Sequence, residues 1–274
     1  MAIVTFWGPN VNQSGSTAVA ASVASMIALD LSKGYNSILI TTNYRDNTLE
    51  SSFKDIEKLT SRSTIDFTDV GLDALDRLIK SGKLSIENLK DYTTPILKGS
   101  LDLMFGTQKK EKELYEKVMQ IMPNILDCAE AAYDITFVDV QNGAPDEYVQ
   151  KILEKSDLIV VNISQSMALL KDFFNNVVNT DLLREKKHVL VVGRYDRHSK
   201  YNVKNLNKYF KTKERIFTVP YNTQFFDMQN DHRTLEFFIK YMKEDPSERN
   251  GIFVNDIKEL SEHILENIVI STNK

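Results

Sequence analysis

Short apolar runs bounded by turn residues recur along the chain, at 3–7, 38–42, 101–105, 135–140, 158–163, 188–192 and 216–219. Most carry Val or Ile on successive positions, which predicts strands buried on both faces of a parallel sheet. Between them lie helical patterns of suitable length, at 16–33, 70–81, 111–132, 147–155, 167–178 and 203–210. Strand alternating with helix in this way predicts an α/β fold, a doubly wound, mostly parallel sheet flanked by helices. Two further helical patterns, 235–242 and 255–268, follow the last strand on either side of Glu244-Asp-Pro-Ser-Glu-Arg-Asn-Gly251. The expectation is a single domain over 1–274, with the C-terminal helices, 235–270, packed on the sheet.

Composition narrows the classes. At 274 residues with 42% hydrophobic content the chain can bury a core. The 34 Lys and Arg against 38 Asp and Glu leave a net charge of −4, which offers no long-range attraction for nucleic acid or an anionic membrane. DNA as a partner therefore has no support from net charge and would need a local basic patch. A lone cysteine, Cys128, cannot form an internal disulfide, and the histidines at 188, 198, 232 and 263 are too scattered for a structural zinc site. A reducing, cytoplasmic location fits. The opening apolar run stops at Gly8-Pro9 without the basic start of a signal peptide, and the run from Ala18 to Leu29 meets Asp30 short of the roughly 20 residues of a membrane helix.

In open α/β sheets ligands bind beyond the carboxyl ends of the strands, so the first strand-to-helix turn is the first candidate site. It reads Gly8-Pro-Asn-Val-Asn-Gln-Ser-Gly-Ser-Thr17, followed by an Ala-rich helix. A strand, a polar turn and Ser-Thr opening a helix is the layout of a P-loop, whose backbone N–H groups and helix N-terminus hold phosphates. The lysine that such a loop uses to reach the terminal phosphates is missing: Gly15 precedes Ser16, and the first lysine of the chain is Lys33. Asn12, Gln13 and Ser14 offer neutral donors, weaker than a lysine. A polar turn with no ligand remains the alternative reading of this segment.

The order of elements and several segments resemble the ParA/MinD family of P-loop ATPases, most of all the branch that includes TadZ, the localisation protein of Tad-type pilus assembly. The resemblance spans nearly the whole chain. It is carried by Gln13-Ser-Gly-Ser-Thr17, Leu101-Asp-Leu-Met-Phe-Gly-Thr107, Tyr133-Asp-Ile-Thr-Phe-Val-Asp-Val-Gln-Asn-Gly143, Ser156-Asp-Leu-Ile-Val-Val-Asn162, Val192-Gly-Arg-Tyr-Asp196, and Val219-Pro-Tyr-Asn222 with Phe225-Phe226. In that family an Asp-x-x-x-Gly ends a central strand, the Asp holding the magnesium shell and the Gly responding to the terminal phosphate; Asp139-Val-Gln-Asn-Gly143 matches it. The alternative for Asp139 is a helix cap near Pro145, and for Ser16 an N-terminal cap in place of the magnesium-binding hydroxyl. The resemblance thus implies ATP and Mg²⁺ as cofactors. Its binding candidates are Asn12, Gln13, Ser14, Gly15, Ser16, Thr17, Asp139, Gly143, Arg194 and Pro220, with Ser16 and Asp139 as the metal ligands.

The departures from the family are concentrated in the catalytic parts. Both loop lysines are absent, Thr41 and Asn43 of Ile40-Thr-Thr-Asn-Tyr44 stand where the family has an Asp-x-Asp pair, and Gly193 stands where an Asn usually reads adenine. No catalytic residue can be named, and an enzyme is not the leading expectation. Two readings follow. One is a homodimeric scaffold with a degenerate nucleotide site and little or no ATP hydrolysis, positioning or regulating an envelope machine such as a pilus or secretion assembly through a protein partner not specified by the sequence. The other is a partition-type ATPase that binds DNA to segregate a plasmid or other cargo. The densest basic and aromatic cluster, Arg194-Tyr-Asp-Arg-His-Ser-Lys-Tyr201, reads as a salt-bridged loop, and the terminal helix, acidic on its polar side, as a packed one.

Overall fold

A computed structural model of the chain describes residues 1–11, 13–30, 32–44, 46, 48–56, 58, 70–82, 84–109 and 111–268, apart from the side chain of Glu87. Among these, eight strands form one sheet: β1 (Ala2–Trp7), β2 (Ser37–Thr41), β3 (Thr94–Leu97), β4 (Leu101–Met104), β5 (Ile135–Asp139), β6 (Leu158–Ile163), β7 (His188–Tyr195) and β8 (Ile216–Pro220). Their order is β3-β4-β2-β5-β1-β6-β7-β8, with every neighbouring pair parallel except β3 and β4. All residues of β1, β2, β5 and β6 are buried, as continuous Val and Ile runs require of strands covered on both faces. Thr5 is accommodated in β1 because its hydroxyl lies 2.6 Å from that of Ser156. The order reverses at β1, whose neighbours β5 and β6 lead away in opposite directions. The crevice at the carboxyl end of β1 is therefore the place where this topology holds a ligand.

The helices divide between the two faces. One face carries α1 (Ser16–Leu29), α2 (Thr48–Ser51), α11 (Thr223–Asn230), α12 (Thr234–Tyr241) and α13 (Arg249–Asn267). The other carries α3 (Gly71–Lys80), α4 (Ile86–Leu89), α5 (Lys112–Met119), α6 (Met122–Ala132), α7 (Glu147–Lys155), α8 (Met167–Asn175), α9 (Asp181–Glu185) and α10 (Val203–Phe210). Helix α1 is buried without a break from Val19 to Ala28, because it lies between the sheet and the C-terminal helices and has almost no solvent side. Its small residues, Ala20, Ala21, Ala24 and Ala28, let that layer close.

Several boundaries differ from the periodicity for local reasons. The pattern at 16–33 stops being helical at Leu29, where the Asp30 amide turns back to Ile27. The pattern at 111–132 breaks into α5 and α6, because Pro123 in the first turn of α6 has no N–H to continue a helix. Helix α13 starts at Arg249, ahead of the expected 255, and Gly251 is what permits this: a Cβ there would lie 1.9 Å from the Asp245 carbonyl oxygen. Strand β3 was not foreshadowed. Its Pro95 argues against a strand, and only the antiparallel pairing with β4 at the sheet edge accommodates it. The one-turn helices α2, α4 and α9 are too short to show a period, and residues 269 and 270 of the expected C-terminal segment lie outside the described residues.

The C-terminal layer rests on an aromatic cluster. Phe225 lies 4.7 Å from Phe253, its ring tilted by 30°, and meets Phe237 edge-on at 5.2 Å, and Phe237 in turn meets Phe238 at 5.4 Å. Phe237 and Phe238 are wholly buried. Phe237→Ala would leave a cavity that a four-ring cluster cannot refill, so it should cost roughly 3–5 kcal/mol in urea unfolding. A loss below about 1 kcal/mol would mean that the cluster does not hold this layer on the sheet.

Candidate functional site

The loop between β1 and α1 is held by close backbone approach, with side-chain bonds from Trp7 and Asn162 beside it. The Gly8 carbonyl accepts the Gly143 amide at 2.8 Å, and Trp7 Nε1 donates to the Gly143 carbonyl at 3.1 Å. At Gly8 a Cβ would stand 2.6 Å from the Asn162 carbonyl oxygen, and at Gly193 one would stand 1.8 Å from that of Ser14. No side chain fits at 193 while the loop sits there. The N-cap of α1 is Gly15, at φ +71°, with no side-chain cap and no acidic residue in the first turn.

Ser16 is consequently neither the cap nor the partner of Asp139. It is buried, and its hydroxyl accepts from Asn162 Nδ2 at 3.2 Å. The hydroxyl that meets Asp139 belongs to Thr17, donating to Oδ2 at 2.8 Å, so it is Thr17 and not Ser16 that stands beside the strand-end carboxyl. One residue along a helix turns a side chain by about 100°, and starting α1 at Ser16 brings Thr17 toward β5. Asp139 caps no helix. That task falls to Asp146, which accepts from the amides of Tyr148 and Val149.

Asp139 is fully buried at the end of β5. Oδ2 also accepts from Asn43 Nδ2 at 2.7 Å, while Oδ1 has no partner among the described residues. Burial pushes its carboxyl up to about 8, with the Asp46 and Glu50 carboxylates adding to the rise. Glu50, on α2, is buried as well. It accepts the Gly106 amide at 2.9 Å, and burial raises it to about 7. Neither Asp46 nor Glu50 is marked by any motif; their position after β2, at the carboxyl edge of the sheet, was the available signal. Thr41 and Asn43 do stand beside Asp139, and Thr41 Oγ1 accepts from the Asn43 amide at 3.2 Å. A carboxylate in place of the Asn43 amide would put like charge against Asp139 with no cation in the loop to offset it.

In front of these groups lies a cavity of about 240 Å³. Gly15, Ser16, Thr17 and Arg194 form one side, and Pro220, Tyr221, Phe225 and Phe226 the other. Tyr221 and Phe226, with ring centres 6.2 Å apart, are exposed at its rim. Of the expected binding residues the structure thus brings Gly15, Ser16, Thr17, Arg194 and Pro220 to one cavity, with Asp139 behind Thr17. Gln13 is exposed on the loop, Ser14 is buried beneath it, Gly143 (φ +111°) supports Gly8, and Asn12 lies outside the described residues. Asn142 also lines the cavity and was not anticipated. Thr17 and Asp139 form an all-oxygen donor pair of the kind a hard cation such as Mg²⁺ takes, and the unpartnered, buried Oδ1 is an acceptor such an ion would satisfy.

The basic cluster is not a salt-bridged loop. Asp196 accepts from the His198 amide, and its own amide donates to Gln165 Oε1. Among the described residues Arg197, Lys200, Lys204, Lys208, Lys211 and Lys213 make no ion pair, and all are exposed. Exposed Tyr201 and Tyr209 stand among them, with Lys200 and Lys171 over the respective rings.

No family model matches the chain, and no curated protein matches it. Solved structures do. The ParA family ATPase from Chlorobium tepidum TLS aligns over 96% of this chain and 99% of its own at 14% identity, with a TM-score of 0.71. A plasmid partition protein from Borrelia burgdorferi B31, bound to AMPPNP, aligns over 97% and 99% at 17% identity and a TM-score of 0.64. MinD from Pyrococcus horikoshii, complexed with Mg-ADP, aligns over 98% and 99% at 12% identity and a TM-score of 0.65. At these identities the likeness establishes the fold: the chain has the doubly wound, mostly parallel architecture of the ParA/MinD P-loop ATPases. Among the described residues no helix is long and apolar enough to cross a membrane.

The buried carboxyls give the fold a pH dependence. In protein free of nucleotide and divalent cation, Asp139 keeps its proton to about pH 8 and Glu50 to about 7, whereas in the unfolded chain they ionise near 3.8 and 4.5. The folded state then binds more protons across that window, so stability falls as pH rises from about 4 to about 8. Asp139→Asn should flatten that slope. Urea unfolding at pH 5 and pH 8 measures it, and a variant with the wild-type slope would contradict the assignment.

Proposed function

We propose that this chain is a dimeric, cytoplasmic positioning scaffold on the ParA/MinD fold, with ATP and Mg²⁺ at the cavity beside Thr17 and little or no hydrolysis. Its cargo in this reading is an envelope machine such as a pilus or secretion assembly, as the TadZ-like segments suggest. The observation that carries it is the chemistry around Asp139. The one strand-end carboxylate of the site is bonded to Thr17 and Asn43, both neutral, and no lysine lies in the loop. Holding a ligand there asks only for donors and a cavity. Hydrolysis asks for an oriented water and for cations on the transferring phosphoryl group, which supply much of the rate in this class of reaction.

Mass spectrometry of nucleotide released from the purified protein, together with its mass in solution, tests ligand and dimer at once. Phosphate release with Mg-ATP should equal background, and Ser16→Lys, at the position before the hydroxyl that meets Asp139, should not raise it. Groups that act as a unit are strongly non-additive, so one restored member recovers little. Steady turnover abolished by Asp139→Ala would overturn the scaffold reading.

One observation favours the second reading, a partition protein that binds DNA. Lys200, Lys204, Lys208, Lys211 and Lys213, exposed and without an ion pair among the described residues, form a basic stretch that the net charge conceals, and Lys204, Lys208 and Lys211 follow one another at helical spacing along and just past α10. Phosphate contacts of this kind make affinity fall steeply with salt. In that reading the double variant Lys204→Glu, Lys208→Glu weakens binding to a random DNA duplex about tenfold or more at low salt, with a shallower salt slope. Wild-type protein that leaves the duplex unshifted at low salt would exclude it.

A further inference from the structure

The loop has no cation, yet the cavity does. We infer that Arg194 is the phosphate-binding cation of this site, reaching across the N-terminus of α1 from the end of β7 instead of rising from the loop; the inference rests on the nucleotide reading above.

Its backbone comes first. The pairing of β7 with β8 shifts register between Gly193 and Tyr195, so Arg194 is the extra residue of a bulge, at φ +50°. L side chains rarely adopt that conformation, and bulges re-aim a side chain at the end of a strand. Here the side chain lies over Gly15: Cγ and Nε are 3.5 and 3.6 Å from the point a Cβ would occupy there. The space that glycine leaves open is the space the arginine crosses. Gly193, closed against the Ser14 carbonyl, locks strand end and loop together and so sets where Arg194 starts.

Its charge comes second. Among the described residues Arg194 has no carboxylate or hydrogen-bond partner, and the carboxylate of its near neighbour Asp196 accepts the His198 amide instead. The adjoining end of α1 has no side-chain cap and no acidic residue, which leaves its amide groups free for an anion. The opposite wall of the cavity is Val219, Pro220, Phe225 and Phe226, and Asp46, the one carboxylate in the lining, is the group a divalent cation would have to offset for an anionic ligand. A ligand with an anionic end and a flat apolar end fits this arrangement, and a guanidinium offers a phosphate two parallel N–H groups while never losing its charge.

The experiment is calorimetry with ATP, ADP and adenosine, in Mg²⁺, on the wild type, Arg194→Ala, Arg194→Lys and Arg194→Gly. Glycine removes the side chain and relieves the backbone together, so at least one variant keeps the fold, checked by circular dichroism. The expected result is ATP and ADP binding weakened about ten- to hundredfold in Arg194→Ala and Arg194→Gly, with adenosine binding unchanged and Arg194→Lys between. Wild type that binds ATP, with Arg194→Gly binding it equally, overturns this inference and leaves the nucleotide reading standing. Wild type that binds none of the three ligands overturns both.

Discussion

How closely the loop after β1 can approach the ends of β6 and β7 governs the whole carboxyl edge of the sheet. The approach is backbone on backbone. It holds only while Gly8 and Gly193 have no Cβ, since either would be driven into a carbonyl oxygen of Asn162 or Ser14. From that contact the rest follows. The loop is drawn down until Ser14 is buried, α1 begins at Ser16 with Gly15 as its left-handed cap, and Thr17 comes to face Asp139. On the other side the end of β7 can offer no side chain at 193, and the next residue, Arg194, is turned out over the helix terminus by the bulge.

The electrostatics of the site have the same coherence. An unpaired charge in a buried site is costly, and removing one member of a buried pair costs more than removing both. A loop without lysines leaves any carboxylate around it uncompensated. Here the side chains bonded to or paired beside Asp139, those of Thr17, Thr41 and Asn43, are neutral, and the buried acids of the site, Asp139 and Glu50, are held toward their protonated forms, with Asp46 adding to the rise at Asp139. A loop without a lysine and a strand end whose side-chain neighbours are mostly neutral are thus electrostatically consistent with each other.

Charge at the surface is arranged with as little regard to the total. The chain is slightly acidic, yet residues 200–213 carry five exposed lysines without an ion pair among the described residues, because Val203, Leu206 and Phe210 of α10 turn into the core and their polar neighbours turn out. A sum over the sequence cancels what the fold separates.

The sequence by itself determined the architecture. Runs of Val and Ile on successive positions can only be covered on both faces, and their alternation with helical segments leaves the doubly wound sheet as the economical solution. It also located the crevice, since the first strand-to-helix turn of such a sheet lies at the switch point, and it marked Gly15, Thr17, Asp139, Arg194 and Pro220 before any coordinates. What it could not decide was anything that depends on a shift of one residue or on two distant segments meeting. Whether Ser16 or Thr17 faces Asp139 turns on where α1 starts, and that start is set by a contact between residues 14 and 193. Edge strand β3, with its Pro95, exists only because β4 is there to pair with it, and the buried state of Glu50 only because α2 folds back over Gly106. Periodicity records which side of an element is buried. Only tertiary structure, through backbone approach across long sequence separations, decides which atoms meet.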